Sequence, residues 1–531
     1  MAVVDSAPES GLDLRTPWVP RSNPWLIAFA VMLGTFMEVM DTSIANVALP
    51  HIAGSMSITP DDATWVLTSY LISNAVVLTA AGWLSRTFGR KRFLLTCITI
   101  FAVASVMAGS APNFGFLIFA LVIQGAGGGA LQPSAQAILL ESFPMEKRGQ
   151  AMAFYTFGVI CAPVIGPTLG GWITDSFSWR WVFYINIPVA ILAFLMVQTY
   201  VEDPPYIRHA VKSKLDTVGF ILLSVWIAAL QIMLDKGQDA DWFGAVWIRW
   251  FAAIAILGFL AFIAWELTSD APLVDLRVLK NRNLLIGTIL IFIVGIVLYA
   301  TTALLPLFLQ TLMGYSALDS GLAVSPRGLG SVVGILLIGR LTNLIDNRFL
   351  MISALLALAY SSFLLGHVNL EIGKFSVTWP IIINGFATSM LFIPLTTTAV
   401  GTLRNDQMGN ATSIYNLMRN IGGAFGISIT TALLSRDSQS NQNMLVSHTS
   451  KLNPIFNSHL HQLQGVFAMH APLVTAHQQA LALIYQSVGQ QAGVMAYVFN
   501  FRFMALLVLC CIPFIFFLKI PKHRSKPVDV H

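Results

Sequence analysis

The chain has 531 residues, of which 56% are hydrophobic and only 10% are charged. Soluble proteins carry about 25% charged residues, so this composition leaves too few to cover a water-exposed surface. It excludes a cytosolic enzyme, a nucleic-acid-binding protein and a disordered scaffold, and it predicts a protein that is mostly embedded in lipid.

Residues 1–23 are polar and are predicted to form a cytoplasmic tail. A helix needs about 20 mainly apolar residues to cross a bilayer, and lipid leaves no partner for free backbone groups, so each long apolar stretch is predicted to be a helix. Fourteen stretches meet this requirement, at 24–50, 62–84, 93–111, 114–140, 149–174, 180–201, 216–235, 246–267, 284–311, 318–341, 349–367, 376–402, 408–435 and 496–519.

Basic residues fix the expected orientation. They cluster in the loops after even-numbered spans, as in Arg86–Arg92 and Arg277–Arg282, and are sparse in the loops after odd-numbered spans. Because Lys and Arg mark cytoplasmic loops, both termini are predicted to be cytoplasmic, including the tail at 521–531. The segment 437–495 is then a long periplasmic loop, in which the run 473–494 has the pattern of an amphipathic helix that could contact a partner. Its histidines are irregularly spaced, so no metal site is predicted.

The two ends of the chain repeat each other. Gly149–Tyr155 is matched by Gly409–Tyr415, and Gln124-Gly125 by Asn384-Gly385, both 260 positions further along. The two units enter the membrane in the same orientation, which is the layout of a major facilitator transporter. The predicted fold is therefore an all-α membrane protein with six-helix bundles at 24–201 and 283–520 and an inserted helix hairpin with its linkers at 202–282.

Four ionisable residues inside predicted spans are singled out as candidate functional groups. Glu38 and Asp41 lie three residues apart on one face of the first span. Burial favours the protonated form of a carboxyl group, so either could take up and release a proton, and the alternative is a structural carboxyl bonded to a neighbouring helix. Arg327 and Arg419 could offset a carboxylate, bind an anionic part of a substrate, or bond helix carbonyls at a span end.

Glycine and proline form a second pattern, in the fifth span. Gly158, Ala162, Gly166 and Gly170 recur every four residues and would let another helix approach closely. Pro163 and Pro167 each remove a backbone donor and favour a bend. This combination, which includes Gly171, suits a bundle interface that seals and reopens, and ordinary helix packing is the alternative. A set of amides is assigned to the substrate cavity: Asn46, Gln124, Gln132, Gln136 and Asn416.

Several of these segments resemble motifs of one family. Met40–Pro50 resembles the first-span motif of the fourteen-span drug:proton antiporters of the major facilitator superfamily (EmrB/QacA type), and Asp41 matches their coupling carboxylate. Gly158–Gly171 resembles the superfamily's antiporter motif, and Trp179–Pro188 the motif that opens the sixth span. Gly82–Arg92 is similar to the superfamily's cytoplasmic loop motif. Its matching residues are Gly82, Gly89, Arg90 and Lys91.

The resemblance narrows to EmrB-type inner-membrane pumps through Leu230–Gly237 and Trp265–Thr268. It implies an efflux pump of a Gram-negative inner membrane that works with a periplasmic membrane-fusion adaptor of EmrA type and an outer-membrane channel. Two positions depart from the superfamily pattern: Ser85 stands in place of the loop Asp, and Leu121 in place of the span 4 Arg before Gln-Gly.

The leading prediction is a proton-coupled exporter of hydrophobic compounds. A nutrient or metabolite importer on the same fold and a membrane sensor without flux are the alternatives, because fold does not fix function. An enzyme is not predicted, and no cofactor is expected, since the sequence has no phosphate-binding loop, metal-binding helix or serine-nucleophile motif.

Overall fold

The computed structural model describes residues 20–519, apart from 64, 145–146, 205–215, 271, 316, 342–343, 405–406, 450–452 and 471. The two predicted terminal tails therefore lie almost wholly outside the described residues. Every regular element in the described part is helical, and fourteen spans are long and apolar enough to cross a membrane. Their helices are span 1 (Pro24–Met56), span 2 (Trp65–Phe88), span 3 (Arg90–Gly109), span 4 (Phe114–Gly128 and Leu131–Ser142), span 5 (Arg148–Ser176), span 6 (Trp181–Tyr184 and Asn186–Tyr200), span 7 (Thr217–Lys236), span 8 (Val246–Thr268), span 9 (Arg282–Thr311), span 10 (Ala317–Val324 and Pro326–Leu341), span 11 (Asn347–Leu365), span 12 (Lys374–Val400), span 13 (Met408–Val446) and span 14 (Leu473–Cys510 and Ile512–Ile515).

The prediction of fourteen spans is confirmed, and the largest difference lies at the last two. The helix of span 13 continues to Val446, and the first helix of span 14 already begins at Leu473. A further helix, Pro454–Phe467, lies between them. The segment 437–495 is therefore largely helical: the helix expected over 473–494 is present, and the helices at 437–446 and Pro454–Phe467 were not predicted. Hydropathy marks only the part of a helix that lies in lipid, so polar continuations of a span are missed. We call these three pieces (436–446, Pro454–Phe467 and 473–495) the helical extension.

The helix packing repeats between the two bundles, as the sequence repeat predicts. Span 1 packs on span 5 as span 9 packs on span 13, and span 2 on span 4 as span 10 on span 12. Span 3 likewise packs on span 6 as span 11 packs on span 14. Spans 1–6 and spans 9–14 thus form two equivalent bundles, which confirms the major facilitator fold.

Spans 7 and 8 form the inserted hairpin and pack chiefly on each other. Trp226 of span 7 stacks edge-on against Phe259 of span 8, with ring centres 5.1 Å apart. The hairpin is fixed to the first bundle by the hydrogen bond from Thr68 to Asp235. Span 7 also packs on span 13, so the hairpin lies alongside helices of both bundles.

Candidate transport site between the bundles

Asp41 is buried inside the first bundle and is 2% exposed. Its carboxylate accepts hydrogen bonds from the side-chain amides of Gln124, at 3.0 Å, and Asn186. The Asn186 amide also donates to Ser105 Oγ at 3.0 Å, and Ser105 in turn donates to the Phe183 carbonyl at 2.8 Å. The first-span acid is thus held by neutral donors from spans 4 and 6.

Glu38 is also buried, but its contacts lead out of the bundle. Its carboxylate accepts from Asn74 Nδ2 at 3.2 Å and from Gln132 Nε2 at 2.7 Å. The other end of the Gln132 amide, its Oε1, accepts a hydrogen bond from the guanidinium of Arg419 in span 13. A single amide therefore connects a carboxylate of the first bundle to an arginine of the second.

Two uncharged contacts continue this connection along span 13. Asn416 Nδ2 donates to Gln136 Oε1 at 2.9 Å, and Thr412 Oγ1 donates to the Pro133 carbonyl at 3.2 Å. Thr412, Asn416 and Arg419 are spaced by four and three residues, so they share one face of the helix. We call these three cross-bundle contacts, with Gln132, the polar ladder.

The ladder ends at a tight contact between span 2 and the start of span 13. A Cβ atom placed on Gly82 would lie 2.8 Å from the Asn410 Cα, so only glycine fits there. Gly409 is about 15 Å from Arg419 along the helix axis, at 1.5 Å rise per residue. We call the side of the protein that holds Gly82 and Asn410 the basic face, because Arg86–Arg92 lie there; on it the two bundles are in close contact.

The loop motif Gly82–Arg92 on the basic face is held in place by an ion pair and by hydrogen bonds. Arg90 is 2% exposed and forms an ion pair with Glu141 at the end of span 4. Gly89 has a φ of +87°, a conformation that other residues rarely adopt. The backbone N–H of Lys91 donates to Asp203 Oδ1 at 2.8 Å. Ser85, at the position of the usual Asp, donates to the Gly82 carbonyl at 3.2 Å.

Two predicted cavity residues lie apart from this site. Arg327 is half-buried within the second bundle and donates to Thr302 Oγ1 at 2.6 Å. It lines a cavity of only about 10 Å³ with Asn384. Asn46 is exposed, and its amide donates to the Thr42 carbonyl of its own helix at 3.0 Å. The structure therefore brings neither residue to the two carboxylates.

Comparison with known proteins agrees with this geometry. Residues 31–427 match the Major Facilitator Superfamily. The chain belongs to this superfamily.

Its relatives within the superfamily include named exporters. It is 36% identical to the Multidrug export protein EmrB of Haemophilus influenzae over 82% of this chain and 86% of that protein. It is 34% identical to the Multidrug export protein EmrB of Escherichia coli over 93% of this chain and 95% of that protein. It is also 34% identical to the Fatty acid resistance protein FarB of Neisseria gonorrhoeae over 94% of this chain and 97% of that protein.

Solved structures share the fold at low sequence identity. The human organic anion transporter MFSD10 (TETRAN) superposes with a TM-score of 0.59 at 13% identity, over 93% of this chain and 100% of that one. A double-tryptophan mutant of XylE superposes with a TM-score of 0.61 at 14% identity, over 94% of this chain and 97% of that one.

The small-residue face of the antiporter motif turns toward span 1. Cβ atoms on Gly158 and Gly166 would lie 2.5 and 2.6 Å from atoms of Met32 and Ser43, and one on Gly170 would lie 3.1 Å from Ile44. This face packs inside the first bundle, so the expectation that it forms the bundle interface is wrong for these glycines. The reason is that side chains of span 1 lie in the groove, which positions the helix that bears Asp41.

Two further motif residues of span 5, Pro163 and Gly171, lie outside that contact. Pro163 is exposed, and a Cβ on Gly171 would meet nothing within 4 Å. The side chain of Pro167 lies outside the described part of the structure. Span 5 reaches the second bundle through contacts with spans 10 and 12.

Some site residues were not singled out from the sequence. Asn186 lies in the sixth-span motif Trp179–Pro188 and could have been found as a polar residue in an apolar run. Ser105 and Asn74 gave no such signal, because Ser and Asn also occur as satisfied packing residues in membrane helices. Glu141 lies at a span end, where an acidic residue is ordinary. Among the described residues there is no group of three or more His, Cys, Asp or Glu side chains that could hold a metal ion.

Proposed function

We propose that this protein is a proton-coupled antiporter that exports hydrophobic drugs or other toxic compounds across the inner membrane of a Gram-negative bacterium. The names of the EmrB and FarB relatives support export as the direction of transport. The excess of Lys and Arg in the loops after even-numbered spans supports cytoplasmic termini and a basic face that is cytoplasmic. A fluorescent protein fused after His531 is expected to fluoresce in the cytoplasm.

The environment of Asp41 is the observation that carries the proposal. It is a buried carboxylate whose donors are the neutral amides of Gln124 and Asn186, and no described Lys or Arg forms a salt bridge with it. A charge without a counter-ion is costly in a low-dielectric site, so the carboxylate gains from binding a proton. Amide donors allow both forms, because they can bond either an ionised or a protonated carboxyl group.

Transport in proteoliposomes with an imposed pH gradient tests this proposal. Asp41→Asn is expected to abolish proton-driven uptake of a dye or drug into the proteoliposomes, with the protein still folded. Asp235→Asn is the matched control, because it removes a carboxylate of the inserted hairpin that is bonded by Thr68 and not by the donors of Asp41. Normal proton-driven transport by Asp41→Asn would overturn the assignment. Lower drug accumulation in cells that lack the protein would favour import instead.

We also propose that the helical extension contacts a periplasmic membrane-fusion adaptor of EmrA type, which links the pump to an outer-membrane channel. Large apolar side chains on the extension are exposed, including Ile455 at 80% and Val474 at 73%. Exposed apolar patches of this kind are typical of protein interaction sites.

Co-purification with the adaptor tests this contact. Ile455→Ser with Val474→Ser is expected to reduce adaptor recovery at least about tenfold, the equivalent of about 1.4 kcal/mol. Transport in proteoliposomes should not change, since the extension is remote from Asp41. The control is Phe243→Ser, which removes an exposed apolar side chain between spans 7 and 8. Unchanged adaptor recovery with the double variant would contradict the contact.

A further inference from the structure

The two first-span acids have partners in different parts of the molecule. All the hydrogen bonds of Asp41 stay within the first bundle, whereas those of Glu38 reach Arg419 of the second bundle through Gln132. Sequence spacing alone places both acids on one helix face, so this separation is a property of the packing.

Arg419 is a buried cation without a direct counter-ion. It is 5% exposed, its guanidinium lies 5.8 Å from the ring centre of Phe392, and its Nε has no hydrogen-bond partner. No carboxylate of the described residues lies within salt-bridge distance of it. Buried charges are normally paired. The carboxylate connected to Arg419 by hydrogen bonds is Glu38, one amide away.

We propose that Glu38, Gln132 and Arg419 form a proton-sensitive latch that holds the two bundles together and so keeps the basic face closed. With Glu38 ionised, the Gln132 amide is aligned between a negative and a positive group, and both of its bonds are charge-assisted. Glu38 is thus a positioning residue: it acts on the bundle interface through Gln132, while Asp41 serves proton exchange within the first bundle.

Protonation of Glu38 releases the latch. The carboxylate takes a proton from water and becomes a neutral acid, so its bond with Gln132 loses its charge assistance. The hydrogen bond from Arg419 to Gln132 then breaks as the bundles separate, and water solvates both groups. The uncharged contacts of Thr412 and Asn416 alone hold the bundles less tightly. Low pH therefore favours the open basic face, and high pH the closed one.

The groups around Glu38 leave few alternatives for a response near neutral pH. The titratable groups that face it are Asp41 on its own helix, Tyr70 on span 2, Tyr155 on span 5 and Arg419 on span 13. Tyrosine and arginine do not normally change charge between pH 5 and pH 9. The two carboxyl groups remain, and variants of each separate their effects.

Distance measurements between spin labels test the latch. The labels are placed at Phe88→Cys and Leu344→Cys, exposed positions at the ends of spans 2 and 10, after replacement of the four native cysteines. With the full chain in lipid nanodiscs, the ratio of open to closed distances is expected to rise about tenfold between pH 9 and pH 5, the size of one charge-assisted hydrogen bond.

Four variants separate the latch from general packing. Glu38→Gln and Arg419→Gln should each remove the pH response, and Glu38→Asp should restore part of it. Asn416→Ala is the matched control, because it removes an uncharged rung: the ratio should shift, but its pH response should remain. Arg419→Met, which also removes the charge, replaces Arg419→Gln if the latter does not fold. A full pH response in Glu38→Gln, or its loss in Asn416→Ala, would overturn the proposal.

The latch rests on the proposed function for the source of its protons, but its test does not depend on transport. Asp41→Asn should keep the pH response of the distances while losing proton-driven export. Normal export by Asp41→Asn with an intact pH response would remove the proposed function and leave the latch. Loss of export in Asp41→Asn with an unchanged pH response in Glu38→Gln would remove the latch and leave the proposed function.

Discussion

The two bundles share a scaffold but differ in charge. The first buries the acids Glu38 and Asp41 in span 1, whereas span 9 has Val294 and Val297 in the corresponding region. The second contributes Arg419 from span 13. A duplicated fold has thus become chemically asymmetric, with acid on one side of the interface and base on the other. The interaction of the acid with the base needs both bundles, because it can form only when the interface between them is closed.

The largest expected difference between the bundles concerns their basic-face arginines. Arg90 at the start of span 3 is paired with Glu141, whereas Arg348 near the start of span 11 donates to the Leu518 carbonyl. Removing one partner of a buried ion pair costs about 3–5 kcal/mol. Arg90→Ala should therefore lower thermal stability in detergent more than Arg348→Ala. Equal losses would show that the ion pair is not what distinguishes the two sites.

The scaffold itself should respond alike in both bundles. Cβ atoms on Gly125 and Gly385 would lie 2.3 and 2.0 Å from the backbone oxygens of Tyr70 and Arg327. Overpacking of this kind costs about 1–3 kcal/mol, so Gly125→Ala and Gly385→Ala should lower the midpoint of thermal unfolding similarly. Gly171→Ala is the control, because its Cβ would meet open space. A loss confined to one bundle would break the scaffold equivalence.

The smallest effect concerns two amides at equivalent positions of the repeat. Gln124 donates to Asp41, whereas the buried Asn384 Oδ1 has no hydrogen-bond partner. A hydrogen bond to a charged group is worth about 1.5–3 kcal/mol. Gln124→Ala should lower the initial rate of proton-driven transport at least about tenfold, and Asn384→Ala less than about twofold, measured in proteoliposomes. Similar rates in the two variants would mean that Gln124 does not support Asp41.

Much of the fold could be predicted because lipid imposes simple rules. Hydropathy located all fourteen spans, and the repeat predicted that the helix packing of the first bundle recurs in the second. The exception is the helical extension. Its helices are polar and continue beyond the spans, so neither hydropathy nor the repeat predicted them. The amphipathic pattern that begins at Leu473 did predict one of the three.

The site was predicted less completely. The sequence identified Glu38, Asp41, Gln124, Gln132 and Arg419 as intramembrane polar groups, but it could not say which of them meet. Arg327 was grouped with them, yet it lies inside the second bundle beside Thr302. Periodicity gives the face of one helix, whereas a hydrogen bond depends on the rotation and depth of two.

The sequence by itself determined that the chain is a duplicated set of membrane helices with acids buried in the first span, because the cost of polar groups in lipid is written in composition and spacing. Only the tertiary structure decided that Asp41 is enclosed in one bundle while Glu38 is linked to Arg419 of the other. Those contacts join residues far apart in the chain, and the link from Glu38 to Arg419 forms only where the two bundles meet.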